Sequence, residues 1–232
     1  LSEEVVRMDQ MIWPDIFNGY ARAFFTGKSL GSDIDKISSV MSINKEEIYM
    51  PLQKHTDRVL VLGEDDKDIA ADAVVTRAHG ILIGVRVADC VPVLLFDKRR
   101  FTAGVVHAGW RGTAAQIIKK TIKVMTNHFG SCPQDILIAL GPSIKRDCYE
   151  VGVEVGNAVR EATGEGEYRI SSGGKYFIDL SMANMLQAIS AGVPKDNLWT
   201  SDECTHCSPD KYHSYRYHKN YNGSQGGFIG LF

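Results

Sequence analysis

The stretch Val91-Pro92-Val93-Leu94-Leu95-Phe96-Asp97-Lys98-Arg99-Arg100-Phe101-Thr102-Ala103-Gly104-Val105-Val106-His107 decides the fold. Two aliphatic runs of strand length, Val91 to Phe96 and Thr102 to His107, flank a basic tip at Lys98-Arg99-Arg100. β-Branched and aliphatic residues broken by charged punctuation read as a β-hairpin. Antiparallel pairing would bring Cys90, just before the first strand, to the same end as His107.

Outward from the hairpin, Ile81 to Val87 reads as a third core strand, and Tyr20 to Phe25, Arg58 to Gly63 and Asp72 to Thr76 as further strands. After His107 the period changes: Ile118, Ile122, Met125 and Phe129 recur at steps of four, three and four, one face of a helix stopped by Gly130 and Pro133. Asp135 to Leu140 is expected as a strand, and Val155, Val159 and Ala162 mark a second helix. A third helix runs from about Ser181 to Ala191, capped by Asp179 or Ser181 and stopped by Gly192 and Pro194. Asn197 to Thr200 and Tyr212 to Tyr217 complete the expected strands. Adjacent strands without intervening helices exclude strict βαβ alternation. The expectation is an α+β fold, a layered sandwich of mixed, largely antiparallel sheets with helices packed outside.

The 232 residues carry 44% hydrophobic and 23% charged side chains and a formal net charge of −2, ordinary for a globular chain. The basic residues are dispersed, which excludes the stripe of a nucleic-acid binder and favours a small-molecule substrate. No apolar run reaches the roughly 18 residues of a membrane span, and Leu1-Ser2-Glu3-Glu4 is acidic where a secretory signal is basic. Five cysteines, an odd number, point to free thiols in a reducing, cytoplasmic setting. No repeat or long linker divides the chain, so residues 1–232 are expected to form one domain.

Cys90 beside His107 has two common uses: a nucleophilic pair, or metal ligation. A third nitrogen ligand favours metal, and His55, in the polar turn Gln53-Lys54-His55-Thr56-Asp57, offers one. Asp89 precedes Cys90 as a candidate proton carrier. The turn Gly109-Trp110-Arg111-Gly112-Thr113 runs into a helix, so the amides near Gly112 and the guanidinium of Arg111 are candidate anion donors, with Arg216 as another. Cys204-Thr205-His206-Cys207 reads as structural thiols: no second CxxC completes a zinc ribbon, and Ser208-Pro209-Asp210 makes a turn rather than a helix start. His79, His128 and Cys132 read as ordinary loop or helix-end residues.

These same segments resemble the YfiH-like laccase-domain family, whose members are called multicopper polyphenol oxidases and purine nucleoside phosphorylases. The matching pieces are Gln53-Lys54-His55, Ala88-Asp89-Cys90-Val91-Pro92-Val93, Val106-His107-Ala108-Gly109-Trp110-Arg111-Gly112, Leu140-Gly141-Pro142-Ser143-Ile144, Cys148-Tyr149-Glu150-Val151, Asp202-Glu203-Cys204-Thr205, Ser214-Tyr215-Arg216 and Gly226-Gly227-Phe228-Ile229. The resemblance implies a metal, usually zinc, on His55, Cys90 and His107. It further implies phosphorolysis of adenosine, inosine and methylthioadenosine, with adenosine deamination as a side activity. Nucleoside and phosphate would be the partners, and Cys90, His107 and Asp89 the catalytic residues. The chain departs from the family pattern around His55, where Lys54 and Thr56 replace Val and Gly of Gln-Val-His-Gly. Near the C-terminus, Tyr217 replaces the second arginine of Arg-Arg-Asp-Gly, and Ser224 falls where Thr-Gly-Arg places its arginine.

Two further readings use the same residues. A single Cys/His site also accepts copper, giving a polyphenol oxidase. The seven histidines lack a His-x-His pair, and a four-copper enzyme needs about ten. A metal-free hydrolase would use Cys90 as nucleophile and His107 as base.

Overall fold

A computed structural model describes residues 11–65, 68–220 and 223–232; the acidic opening Leu1-Ser2-Glu3-Glu4 lies outside them. The hairpin forms as the sequence requires. Val91–Asp97 pairs antiparallel with Thr102–Ala108, in a register that sets Val91 opposite Ala108 and Pro92 opposite His107. At the tip, Asp97 Oδ1 accepts the backbone N–H groups of Arg99 and Arg100, at 2.8 and 3.0 Å, and so closes the turn.

Every residue of both hairpin strands is buried, because the sheet that contains them is covered on both faces. That sheet has six strands in the order Leu198–Thr200, Ile136–Leu140, Val91–Asp97, Thr102–Ala108, Ala73–Thr76, Val59–Val61. The period of two divides its apolar residues between two cores. Val91, Val93 and Leu95 pack against the helices Ile117–Phe129, Val153–Thr163 and Leu180–Ser190. Leu94 and Phe96 point the other way, onto Phe25, Ile83, Val85 and Ile229.

Those last residues belong to a five-stranded sheet, ordered Met11–Ile12, Arg22–Thr26, Gln225–Leu231, Ile81–Val87, Ile48–Tyr49. Its outer face, through Phe24, Leu82 and Phe228, packs on the helix Ile34–Met41. Leu198–Thr200 with Ile136–Leu140, Val59–Val61 with Ala73–Thr76, and Ile48–Tyr49 with Ile81–Val87 run parallel; the other named pairings are antiparallel. The α+β layered sandwich with helices outside is the observed fold. A small sheet of Glu150–Val151, Lys175–Ile178 and Arg169–Ser172 is added beside it. No helix among the described residues is long and apolar enough to cross a membrane.

One expected strand is overturned. Tyr212 to Tyr217 does not extend; Tyr215–His218 forms a single helical turn whose cap, Ser214, accepts the N–H of Tyr217 through its side chain. The helix expected to run on from Thr113 is broken instead. A short helix, Trp110–Ala114, is separated from Ile117–Phe129 by Gln116 in the left-handed region, φ 59°. The helix Ile34–Met41 and the hairpin of Arg169–Ser172 with Lys175–Ile178 had no counterpart in the sequence reading.

Leu94 is fully buried between the two large sheets. Leu94→Ala should therefore reduce unfolding free energy in urea by about 2–5 kcal/mol. A loss below about 1 kcal/mol would mean that the sheets do not close on this side chain.

Candidate metal centre

The chain leaves the five-stranded sheet at Val87 and enters the six-stranded sheet at Val91, crossing between layers over only three residues. So abrupt a crossing needs an unusual backbone, and Asp89 supplies it at φ 85°. Its carboxylate is fully engaged: Oδ1 accepts Thr205 Oγ1 at 2.6 Å, and Oδ2 accepts the backbone N–H of Arg216 at 2.7 Å. Its carbonyl accepts the N–H of Ile144 at 3.0 Å. The crossing leaves Cys90 at the mouth of the hairpin, beside His107.

Ligand-capable atoms of His55, Cys90 and His107 all lie within 4.8 Å of one another. The two imidazole rings meet nearly edge to face, centroids 4.8 Å apart. His107 is buried, Cys90 half-buried and His55 exposed, so the group opens to solvent on one side.

A residue the sequence reading took only as a strand start organises the group. Asp72 is fully buried, and its Oδ1 accepts the Nδ1–H of His107 at 2.7 Å, leaving Nε2 as the free ring nitrogen. The same carboxylate accepts the backbone N–H groups of Lys54, His55 and Thr56 at 3.2, 3.0 and 2.6 Å, and the Thr56 hydroxyl at 2.8 Å. This set of donors curls the loop so that His55 sits at φ 57°, a conformation seldom adopted without such support. One carboxylate thus aims two of the three candidate ligands. An aspartate opening a strand next to one that ends in histidine was the only available signal, and it is weak.

The electrostatics follow from the contacts. Burial would raise the pKa of Asp72, yet the hydrogen bonds from His107 and Thr56 outweigh it and hold it down to about 2. Burial likewise opposes ionisation of Cys90, but the His107 charge and hydrogen bonds from both histidines bring it down to about 6. His107 shows the reverse balance: burial disfavours its cation, while Cys90 and Asp72 raise it to about 9. The Cys90 shift runs toward the thiolate that a cation needs, and the His107 shift reflects the negative charge that faces it from Cys90 and Asp72.

The donor set fits a metal. Bond lengths of about 2.0–2.3 Å around a tetrahedral zinc put donor atoms roughly 3.3–3.7 Å apart, within the observed spread. Room has been kept for it: a Cβ added at Gly109 would stand 2.9 Å from Cys90 Sγ and 3.3 Å from His55 Cδ2. Thiolate and imidazole serve zinc and copper alike, so the geometry defines a three-ligand metal centre without choosing the element.

The centre forms part of the wall of a cleft of about 1100 Å³. Asp89, Arg111 and Arg216 also line it, as do Trp110, Tyr49, Tyr149 and Tyr215. Arg111 lies over the Trp110 ring at 4.4 Å; Arg216 lies over Tyr149 at 5.2 Å and donates through Nη1 to the Glu150 carbonyl at 2.9 Å. Gly112 is not brought to the cleft. It is buried in the short helix, where a Cβ would press on Ile117 and the His107 carbonyl. Of the two positions that depart from the family's arginines, Ser224 lines the cleft and hydrogen-bonds Ser32 at 2.7 Å, whereas Tyr217 is exposed and rests edge-on against His206 and His218.

The family model described as multi-copper polyphenol oxidoreductase laccase matches residues 29–232, and the chain belongs to that family. A protein of an unknown prokaryotic organism named adenosine deaminase RL5 is 38% identical over 76% of this chain and 72% of its own length. A protein of Bacteroides thetaiotaomicron named purine nucleoside phosphorylase is 35% identical over 76% of this chain and 70% of its own. The crystal structure of the YfiH protein of Bacillus licheniformis superposes with a TM-score of 0.90 at 25% identity, covering 97% of this chain and 98% of that one.

Two substitutions probe the centre. Asp72→Asn keeps the shape but weakens the hold on the His107 tautomer, and should lower zinc affinity on the order of 10–100-fold in a chelator competition. Gly109→Ala should release the metal while circular dichroism stays unchanged, since φ −76° suits alanine and only the ligands are crowded. Full metal retention by both variants would remove the centre as described.

Proposed function

We propose that the chain is a zinc-dependent purine nucleoside phosphorylase acting on adenosine, inosine and methylthioadenosine, with adenosine deamination as a side activity. The observation that carries this reading is the opening of the His55, Cys90 and His107 group onto a cleft that also presents two arginines and several aromatic rings. The names of the relatives, purine nucleoside phosphorylase and adenosine deaminase, support the same class of substrate.

In this reading a bound zinc ion supplies Lewis acidity, polarising an oxygen or activating water at neutral pH. The remaining work falls to the chain's own residues. Trp110, Tyr149 and Tyr215 offer flat apolar surface for a purine. Arg111 and Arg216 bind phosphate, which replaces the base at the anomeric carbon: the C–O bond forms, the glycosidic C–N bond breaks, and the base leaves with a proton. In deamination, water adds at C6 of adenine and ammonia departs. Asp89 accepts from Thr205 and from the Arg216 amide with both oxygens, an arrangement that suits holding the Arg216 turn better than carrying protons.

The copper oxidase reading draws on the family description. Against a multicopper site stands the ligand supply: among the described residues, the two groups with metal-ligand spacing contain two histidines between them.

Protein purified without added copper, incubated with adenosine and phosphate and analysed by chromatography, should yield ribose 1-phosphate, adenine and some inosine. Chelation should abolish the products and zinc restore them. Absence of all three products would overturn the proposal, and turnover insensitive to chelation would favour the metal-free cysteine hydrolase. Arg216→Ala should raise the KM for phosphate about 10–100-fold, the loss of one charge-assisted contact.

A further inference from the structure

Three other cysteines converge away from this centre. Cys148 stands just before the small sheet, and Cys204 and Cys207 lie on the loop after Leu198–Thr200; their sulfurs are all within 4.8 Å of one another. Cys148 Sγ and Cys207 Sγ are 3.2 Å apart, although 59 residues separate them. All three are free thiols.

Packing does not account for the arrangement. A buried cysteine behaves as a small apolar filler, but here Cys207 is exposed and the other two are half-buried. The loop is also shaped around one sulfur. The backbone N–H of Lys145 donates to Cys204 Sγ at 3.5 Å. The CxxC pair lacked a partner in the sequence; the bridge that pairs Ser143 with Cys204 brings Cys148 to it.

We propose that Cys148, Cys204 and Cys207 form a second metal site, a three-thiolate seat for a thiophilic d¹⁰ cation, zinc(II) or copper(I). On binding, each thiol that still carries a proton releases it to solvent, and three sulfurs bond to the ion. No change of oxidation state is involved. Sulfur ligands select these ions over magnesium or calcium. The exposed side at Cys207 leaves a coordination position for water or an external ligand.

The site lies one residue from two features of the cleft. Thr205, between its cysteines, holds Asp89 at the layer crossing, and Tyr149, beside Cys148, carries the Arg216 guanidinium. An ion here staples the loop around 204–207 to the segment around 148, fixing the part of the cleft wall that carries Asp89, Tyr149 and Arg216.

The test uses the full chain carrying His55→Ala and Cys90→Ser, which removes the first centre and makes the outcome independent of the proposed enzymatic activity. Reduced, anaerobically purified protein is titrated with cobalt(II) as the zinc probe, and separately with copper(I) against a chromogenic chelator. One equivalent of cobalt with a thiolate charge-transfer band, displaced by zinc, is expected. Stoichiometric copper(I) uptake without a cobalt band assigns the seat to copper. Adding Cys207→Ser, a change at an exposed residue that leaves the core alone, should weaken the band or the uptake at least tenfold. A natively folded double variant that retains neither ion overturns the proposal. So does a Cys148–Cys207 disulfide in the anaerobically prepared protein, detected as a mass two daltons lower.

Discussion

The candidate centre depends on one buried carboxylate. Asp72 accepts five hydrogen bonds, from three successive backbone amides, one hydroxyl and one imidazole. A buried carboxylate is tolerable only with such a complement of donors. Here the donors needed to stabilise it are the same groups that set the His55 loop and fix the His107 tautomer. Burial and site geometry are therefore two aspects of a single network. A residue at position 72 without the carboxylate's two acceptor oxygens would loosen the loop and the ring together.

Rigidity around that network comes from the central sheet, buried on both faces. Because Val91–Asp97 and Thr102–Ala108 divide their side chains between a helix-facing core and a sheet-facing core, neither strand can slip by one residue without exchanging the two sets. Fixing the register of Val91 against Ala108 fixes where Cys90 and His107 come to rest. Asp89, in its left-handed conformation, lets the chain change layers at this point, and its two accepted hydrogen bonds tie the crossing to Thr205 and Arg216.

The hairpin and the long helix were legible because local pattern and tertiary role agree there: apolar runs, a charged tip, a 3.6-residue period and a glycine stop. The convergence of His55 with Cys90 and His107 was expected from ligand chemistry and the family resemblance. Asp72 escaped notice because its role depends on a loop 16 to 18 residues earlier in the sequence. Tyr212 to Tyr217 misled because aromatic residues favour strands, while the capping hydroxyl of Ser214 and the anchor from Asp89 to the Arg216 amide wind the segment into a turn of helix. Gln225–Leu231 was visible only as a glycine-containing motif. Gly227 lets the backbone pass where a Cβ would stand 3.0 Å from Pro92 and 3.1 Å from the Phe25 ring, a demand set by neighbours and not by local propensity.

The same strand has a consequence for biosynthesis. Gln225–Leu231 is inserted between Arg22–Thr26 and Ile81–Val87, and those two do not pair with each other among the described residues. On the ribosome, the five-stranded sheet therefore has a gap at its middle until residue 231 has emerged from the exit tunnel. Throughout that interval Arg22–Thr26 and Ile81–Val87 each present an unpaired edge where the last strand will be seated. Helper proteins that shelter apolar nascent segments would find their binding surface there.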